Sequence, residues 1–131
     1  MNPRKILYWL VWLIAASTLV SGVVQMVYPS FVLGLVAAAR TPSTNHFFGI
    51  VGMFMALFGG MLLHALYAPV KQPVAIFWAT LQKFGASTAV AIGVERNVFG
   101  RIALAIAAFD FASGILVGWY WMGTKTGKEL D

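Results

Sequence analysis

Long apolar runs separated by short polar breaks set the organisation of this chain. The first run covers residues 6–27 behind the basic pair Arg4 and Lys5. It outlasts the apolar core of a signal peptide, which is about 7 to 15 residues, so a retained helix is expected. Residues 30–40 are apolar but too short to cross a bilayer, and they predict an interfacial or re-entrant segment. A second span is expected over 47–68, with Ser43, Thr44 or Asn45 as its N-cap and Pro69 as its stop. A third span is expected over 74–94, just after Pro73, and a fourth over 99–122, followed by a polar tail over 123–131. The fold class predicted is all-α: an integral membrane four-helix bundle in one domain, with the interfacial segment between the first two spans.

Composition supports that class. Of 131 residues, 60% are hydrophobic and 10% charged, whereas a soluble domain carries roughly 25% charged residues. Four spans of about 20 residues each take up most of these residues and leave little for a soluble catalytic domain. The chain has no cysteine, which excludes disulfides, thiolate metal sites and cysteine nucleophiles. The net charge of +5 does not indicate a nucleic-acid partner, because the basic residues flank the apolar runs.

With four spans, both termini and the loop between the second and third helices lie on one side. That side carries Arg4, Lys5, Lys71, Lys125 and Lys128, against Arg40, Arg96 and Arg101 on the other. The positive-inside rule then places the termini in the cytoplasm, as in a multi-pass protein of a bacterial inner membrane. Trp9, Trp12, Trp78, Trp119 and Trp121 all fall near the same side, joined by Tyr8, Tyr67 and Tyr120. They read as an interfacial aromatic belt or, on the functional alternative, as a surface for a partner or pigment.

Two charges interrupt the apolar pattern. Lys83 falls in the middle of the third span and Asp110 in the middle of the fourth, where an unpaired charge costs several kcal/mol. The two positions lie symmetrically about the intervening turn, so an antiparallel hairpin brings them to one depth and predicts an ion pair. Thr80 and Ser87 flank the lysine, and Ala103, Ala107, Ser113 and Gly114 flank the aspartate, permitting close approach. The pair reads either as a clamp that fixes the register of two helices or as a site for a proton, ion or substrate.

In the second span Gly49, Gly52, Ala56 and Gly60 form a small-residue surface, with Gly59 beside it, for packing within the bundle or in a dimer. His64 continues that row and is expected to face a neighbouring helix. His46 lies about 27 Å away along the helix, so the two histidines cannot share one haem. Either alone could be a single axial ligand to haem or pigment, although no cofactor and no metal site is predicted. Ser17, Ser21 and Gln25 form a polar stripe expected to face the interior.

On its four spans, long first loop, Gly49, Gly52 and Gly60 pattern, and stretch 78–83, the chain resembles small DoxX-like four-helix membrane proteins over residues 6–122. The resemblance implies a four-helix bundle. Small multidrug carriers share the size and span count but use a membrane glutamate in the first helix, and no acidic residue precedes Glu95 here. The function expected first is a non-enzymatic subunit or accessory protein of a membrane complex or homo-oligomer, with the lipid bilayer as its other partner. The alternatives are a small proton- or ion-coupled carrier of a lipid-like or small hydrophobic substrate using Lys83 and Asp110, and a lipid-modifying enzyme with Asp110 as acid or base.

Overall fold

The structure is a computed structural model that describes residues 1–126. Lys128 and the end of the polar tail therefore lie outside the described residues. Among those described, the chain is all helical, in the order α1 (Pro3–Val27), α2 (Pro29–Leu35), α3 (Pro42–Tyr67), α4 (Pro73–Glu95) and α5 (Ala103–Lys125). Three of the five, α1, α3 and α5, are long and apolar enough to cross a membrane. α4 matches α5 in length, but Thr80, Gln82, Lys83, Ser87 and Thr88 make it more polar.

Proline punctuates this architecture. Pro3, Pro29, Pro42 and Pro73 each sit at the start of a helix, where the missing N–H is no loss and the fixed φ favours the first turn. The N-cap of α3 is Thr41 rather than the Ser43, Thr44 or Asn45 read from the sequence. Thr41 Oγ1 accepts from the Thr44 amide at 3.2 Å, and Thr44 Oγ1 accepts from the Thr41 amide at 2.8 Å. This reciprocal box starts the helix five residues earlier than its apolar run. Asn45, relieved of capping, leaves its Oδ1 buried without a partner.

The ends of α2 and α4 share one device. Ala37 and Asn97 take left-handed φ values of 54° and 57°. Amides further on return to the last turns: Ala38 to Leu33 at 2.9 Å and Val98 to Gly93 at 2.8 Å. Both are Schellman stops. The second corrects the expected start of the last span from 99 to Ala103, because residues 98–102 turn back and Phe99 packs over Gly93. The two stops are joined where the Gly100 amide donates to Val36 O at 2.7 Å.

α1 packs most extensively on α3, and α4 on α5; the two pairs meet through α3 with α4 and α1 with α5. The α1–α3 seam is set by glycine. A Cβ on Gly52 would stand 2.6 Å from Met26 N and 2.8 Å from Gly22 O, and one on Gly59 would stand 2.5 Å from Leu19 N. Gly59, not Gly60, is the tight position: a Cβ on Gly60 would meet only Leu19 Cδ1, at 4.0 Å. The row follows the helical period, 52, 56 and 59, rather than strict four-residue steps.

The buried core occupies one end of the molecule. Val11, Ile14, Ala15, Leu62, Ile76, Ala79, Val117 and Tyr120 pack together there, beneath Tyr8, Leu66 and Trp121. Aromatic contacts tie this end across the helices: Trp12 Nε1 donates to Tyr67 Oη at 2.9 Å, Tyr8 meets Tyr120, and Phe77 meets Trp121. The end with Arg40, Arg96 and Arg101 is packed differently. It holds a cavity.

Candidate functional site

Lys83 and Asp110 are brought together at the boundary between the packed end and the cavity. Lys83 is 3% exposed and Asp110 9%. Lys83 Nζ lies 3.2 Å from Asp110 Oδ1, so the ion pair expected from symmetric spacing is present and buried. The ammonium also donates to Thr18 Oγ1 at 2.5 Å. Thr18 gives its own hydroxyl hydrogen to Ile14 O at 2.7 Å, which leaves its lone pairs free to accept from the lysine. The Phe109 ring centroid lies 5.9 Å from the same nitrogen, within reach of a cation–π contact.

Thr18 is the residue that sequence reading missed. The stripe Ser17, Ser21 and Gln25 was expected to face inward, but Ser17 and Ser21 are exposed and bond back to Ile14 O and Ser17 O. The inward row is Thr18, Gly22 and Gln25, which follows the buried positions Val11, Ile14 and Ala15. A heptad step from Gln25 to Thr18, continued to Val11, would have found it, whereas exact four-residue steps drift off the face.

The supporting residues divide by role. Ser87 Oγ donates to Ala107 O at 2.8 Å and ties α4 to α5, while Thr80 is buried and donates to Ile76 O at 2.8 Å within its own helix. Ser113 is buried on α5. Gln25 Nε2 donates to Phe48 O at 3.0 Å and bridges α1 to α3. Because that carbonyl can only accept, the amide nitrogen of Gln25 is fixed on its side.

A partly open cavity of about 510 Å³ lies between the two helix pairs, and Asp110 lines it while Lys83 does not. Gln25 and Gln82 join Asp110 in its lining, and Arg96 stands at the C-cap of α4. The rest of the wall is apolar, including Val36, Val51, Met55, Val90 and Ile106. α2 and the Phe99 turn close over one end. Volume and lining match a small-molecule site, where an apolar wall carries a few converging polar groups.

The histidines belong to neither feature. His64 is exposed rather than turned to a neighbouring helix, and His46 is exposed beside Phe47. Trp9, Trp78 and Trp119 are exposed on three different helices, while Trp12 and Trp121 are half-buried. No group of three or more metal-ligating side chains gathers among the described residues. No family model matches the chain, and searches of curated proteins and of solved structures return no match.

Proposed function

We propose that this chain is a four-span bundle that holds a lipid-like or small hydrophobic molecule within the membrane. The observation that carries this reading is the cavity that ends on Asp110. α4 is the fourth span in this reading: its charge is neutralised by Asp110, and its hydroxyls bond to carbonyls of α4 or α5. A helix so satisfied can lie in hydrocarbon despite its polar residues. The positive-inside count, Arg4, Lys5, Lys71, Lys125 and Lys128 against Arg40, Arg96 and Arg101, supports cytoplasmic termini as part of this proposal, with the cavity toward the opposite face.

The binding reading is favoured over the accessory-subunit reading by the small-residue row. Gly52 and Gly59 are buried within the α1–α3 seam, so that surface serves the fold rather than a dimer. The exposed tryptophans are spread over α1, α4 and α5, as suits lipid contact all round. The resemblance to small DoxX-like four-helix membrane proteins is kept as part of this proposal.

Native mass spectrometry of the full chain released from native membranes tests the reading, compared with Ala86→Trp, which places an indole in the cavity. The parent is expected to carry a bound small molecule and the variant to lose it while keeping its helical circular dichroism. Equal occupancy in both proteins would refute the assignment.

A further inference from the structure

The polar groups that line the cavity restrict what can bind there. Asp110 Oδ1 accepts from Lys83, and no other described hydrogen bond reaches the carboxylate. Gln25 uses its amide nitrogen on Phe48 O, which leaves the side-chain oxygen as an acceptor. Asp110 and Gln25 therefore turn acceptor oxygens to the inner end of the cavity, and Gln82, whose amide can donate as well as accept, stands beside them. A ligand that meets this end with hydrocarbon alone leaves the acceptors unpaired in an apolar surrounding, whereas one with a hydroxyl hydrogen satisfies one of them.

Charge narrows the class further. Lys83 already neutralises Asp110, and its ammonium is shielded from the cavity. A ligand ammonium would add an unbalanced positive charge near Lys83, and a ligand carboxylate would face Asp110 directly. A neutral donor avoids both. Shape limits the remainder of the molecule. The lining runs along α4 from Gln82 to Arg96, about 21 Å of helix. The cavity is therefore long and mostly apolar, a shape that suits a hydrocarbon chain laid along α4.

We infer that the ligand is a neutral single-chain amphiphile whose hydroxyl donates to Asp110, with its chain lying along α4 toward Arg96. This rests on the cavity being the binding site. Residues at the inner end have distinct parts: Asp110 accepts the ligand hydroxyl, Lys83 keeps the carboxylate charge balanced, and Thr18 holds the ammonium away from the cavity.

The test uses the purified full chain in mild detergent and four probes of one chain length: dodecanol, dodecane, dodecanoate and dodecylammonium, with binding read by native mass spectrometry and thermal shift. Dodecanol is expected to bind about tenfold more tightly than dodecane, the value of one hydrogen bond, and more tightly than either charged probe. In the double variant Lys83→Met with Asp110→Leu, dodecanol and dodecane are expected to bind equally. A monoacylglycerol of the same chain separates a free alcohol from a glycerolipid hydroxyl, since either source satisfies Asp110. If dodecane matches dodecanol in the parent, or a charged probe exceeds it, the hydroxyl assignment is overturned and the cavity reading stands. If no probe binds the parent, or Ala86→Trp binds all probes as the parent does, the cavity reading itself fails.

Discussion

Substituting Gly52 by alanine puts the packing of this molecule to a direct test. The added Cβ would stand 2.6 Å from Met26 N, 2.8 Å from Gln25 C and 2.8 Å from Gly22 O. All three are main-chain atoms of α1, so no rotamer change can make room. Ordinary contact begins at 3.4 Å, so α1 and α3 must part locally by about 0.8 Å, a gap that forfeits a quarter to a half of the attraction of each contact it opens. Overpacking of this kind costs about 1 to 3 kcal/mol. The same substitution at Gly85, where nothing lies within 4 Å, meets no obstacle and gains up to about 1 kcal/mol of helix propensity. Unfolding of each purified variant in mild detergent by added dodecyl sulfate, followed by tryptophan fluorescence, measures the difference. Gly59→Ala is expected to behave like Gly52→Ala, and Gly60→Ala like Gly85→Ala. Equal stability for Gly52→Ala and Gly85→Ala would refute the close backbone seam.

The remaining expectations concern the charge cluster and the path of the chain. Lys83→Met and Asp110→Leu are each expected to cost about 3 to 5 kcal/mol by leaving a buried charge alone, while the double variant recovers most of that loss in the same titration; single variants as stable as the parent would remove the ion pair from the account. Thr18→Val deletes the second acceptor of Lys83 and is expected to cost about 1 to 3 kcal/mol, an effect that disappears when Lys83 is already methionine. Because the chain has no cysteine of its own, single variants Lys71→Cys and Asn97→Cys can be labelled with an impermeant maleimide on intact cells and on inverted vesicles. Opposite accessibility is expected if α4 crosses the membrane, and labelling from one side alone would show that it does not.

The sequence was most legible where one strong local rule governed. Pro73 and the long apolar runs placed the helices to within a few residues, and symmetry about the α4–α5 turn placed Lys83 against Asp110. It was least legible where the helical period had to be resolved to a single residue. Gly60 and Gly59 are neighbours of the same type, and only the true rotation of α3 against α1 decides which one lies against the Leu19 backbone. Ser17 and Thr18 pose the same problem on α1: both are short and hydroxylic, and tertiary packing turns Thr18 to Lys83 and Ser17 outward. His64 followed the four-residue row off the seam, because that row drifts about 40° at each step of a 3.6-residue helix. The cavity had no sequence signature, since apart from Gln25, Gln82, Arg96 and Asp110 it is bounded by ordinary apolar residues scattered over α2, α3, α4 and α5.

The dense core at the tryptophan-rich end has a consequence for traffic. Val11, Leu62, Ile76 and Val117 close that half of the interior, and the paired charges stand immediately above this plug. A molecule held against Asp110 as proposed would find this core between it and the far face, and would leave by the side it entered or sideways between the helix pairs. Under the proposed function the architecture is that of a one-sided receptacle rather than a conduit. Passage to the other face would require the two helix pairs to separate along their whole length, breaking the core and exposing the Lys83–Asp110 pair together.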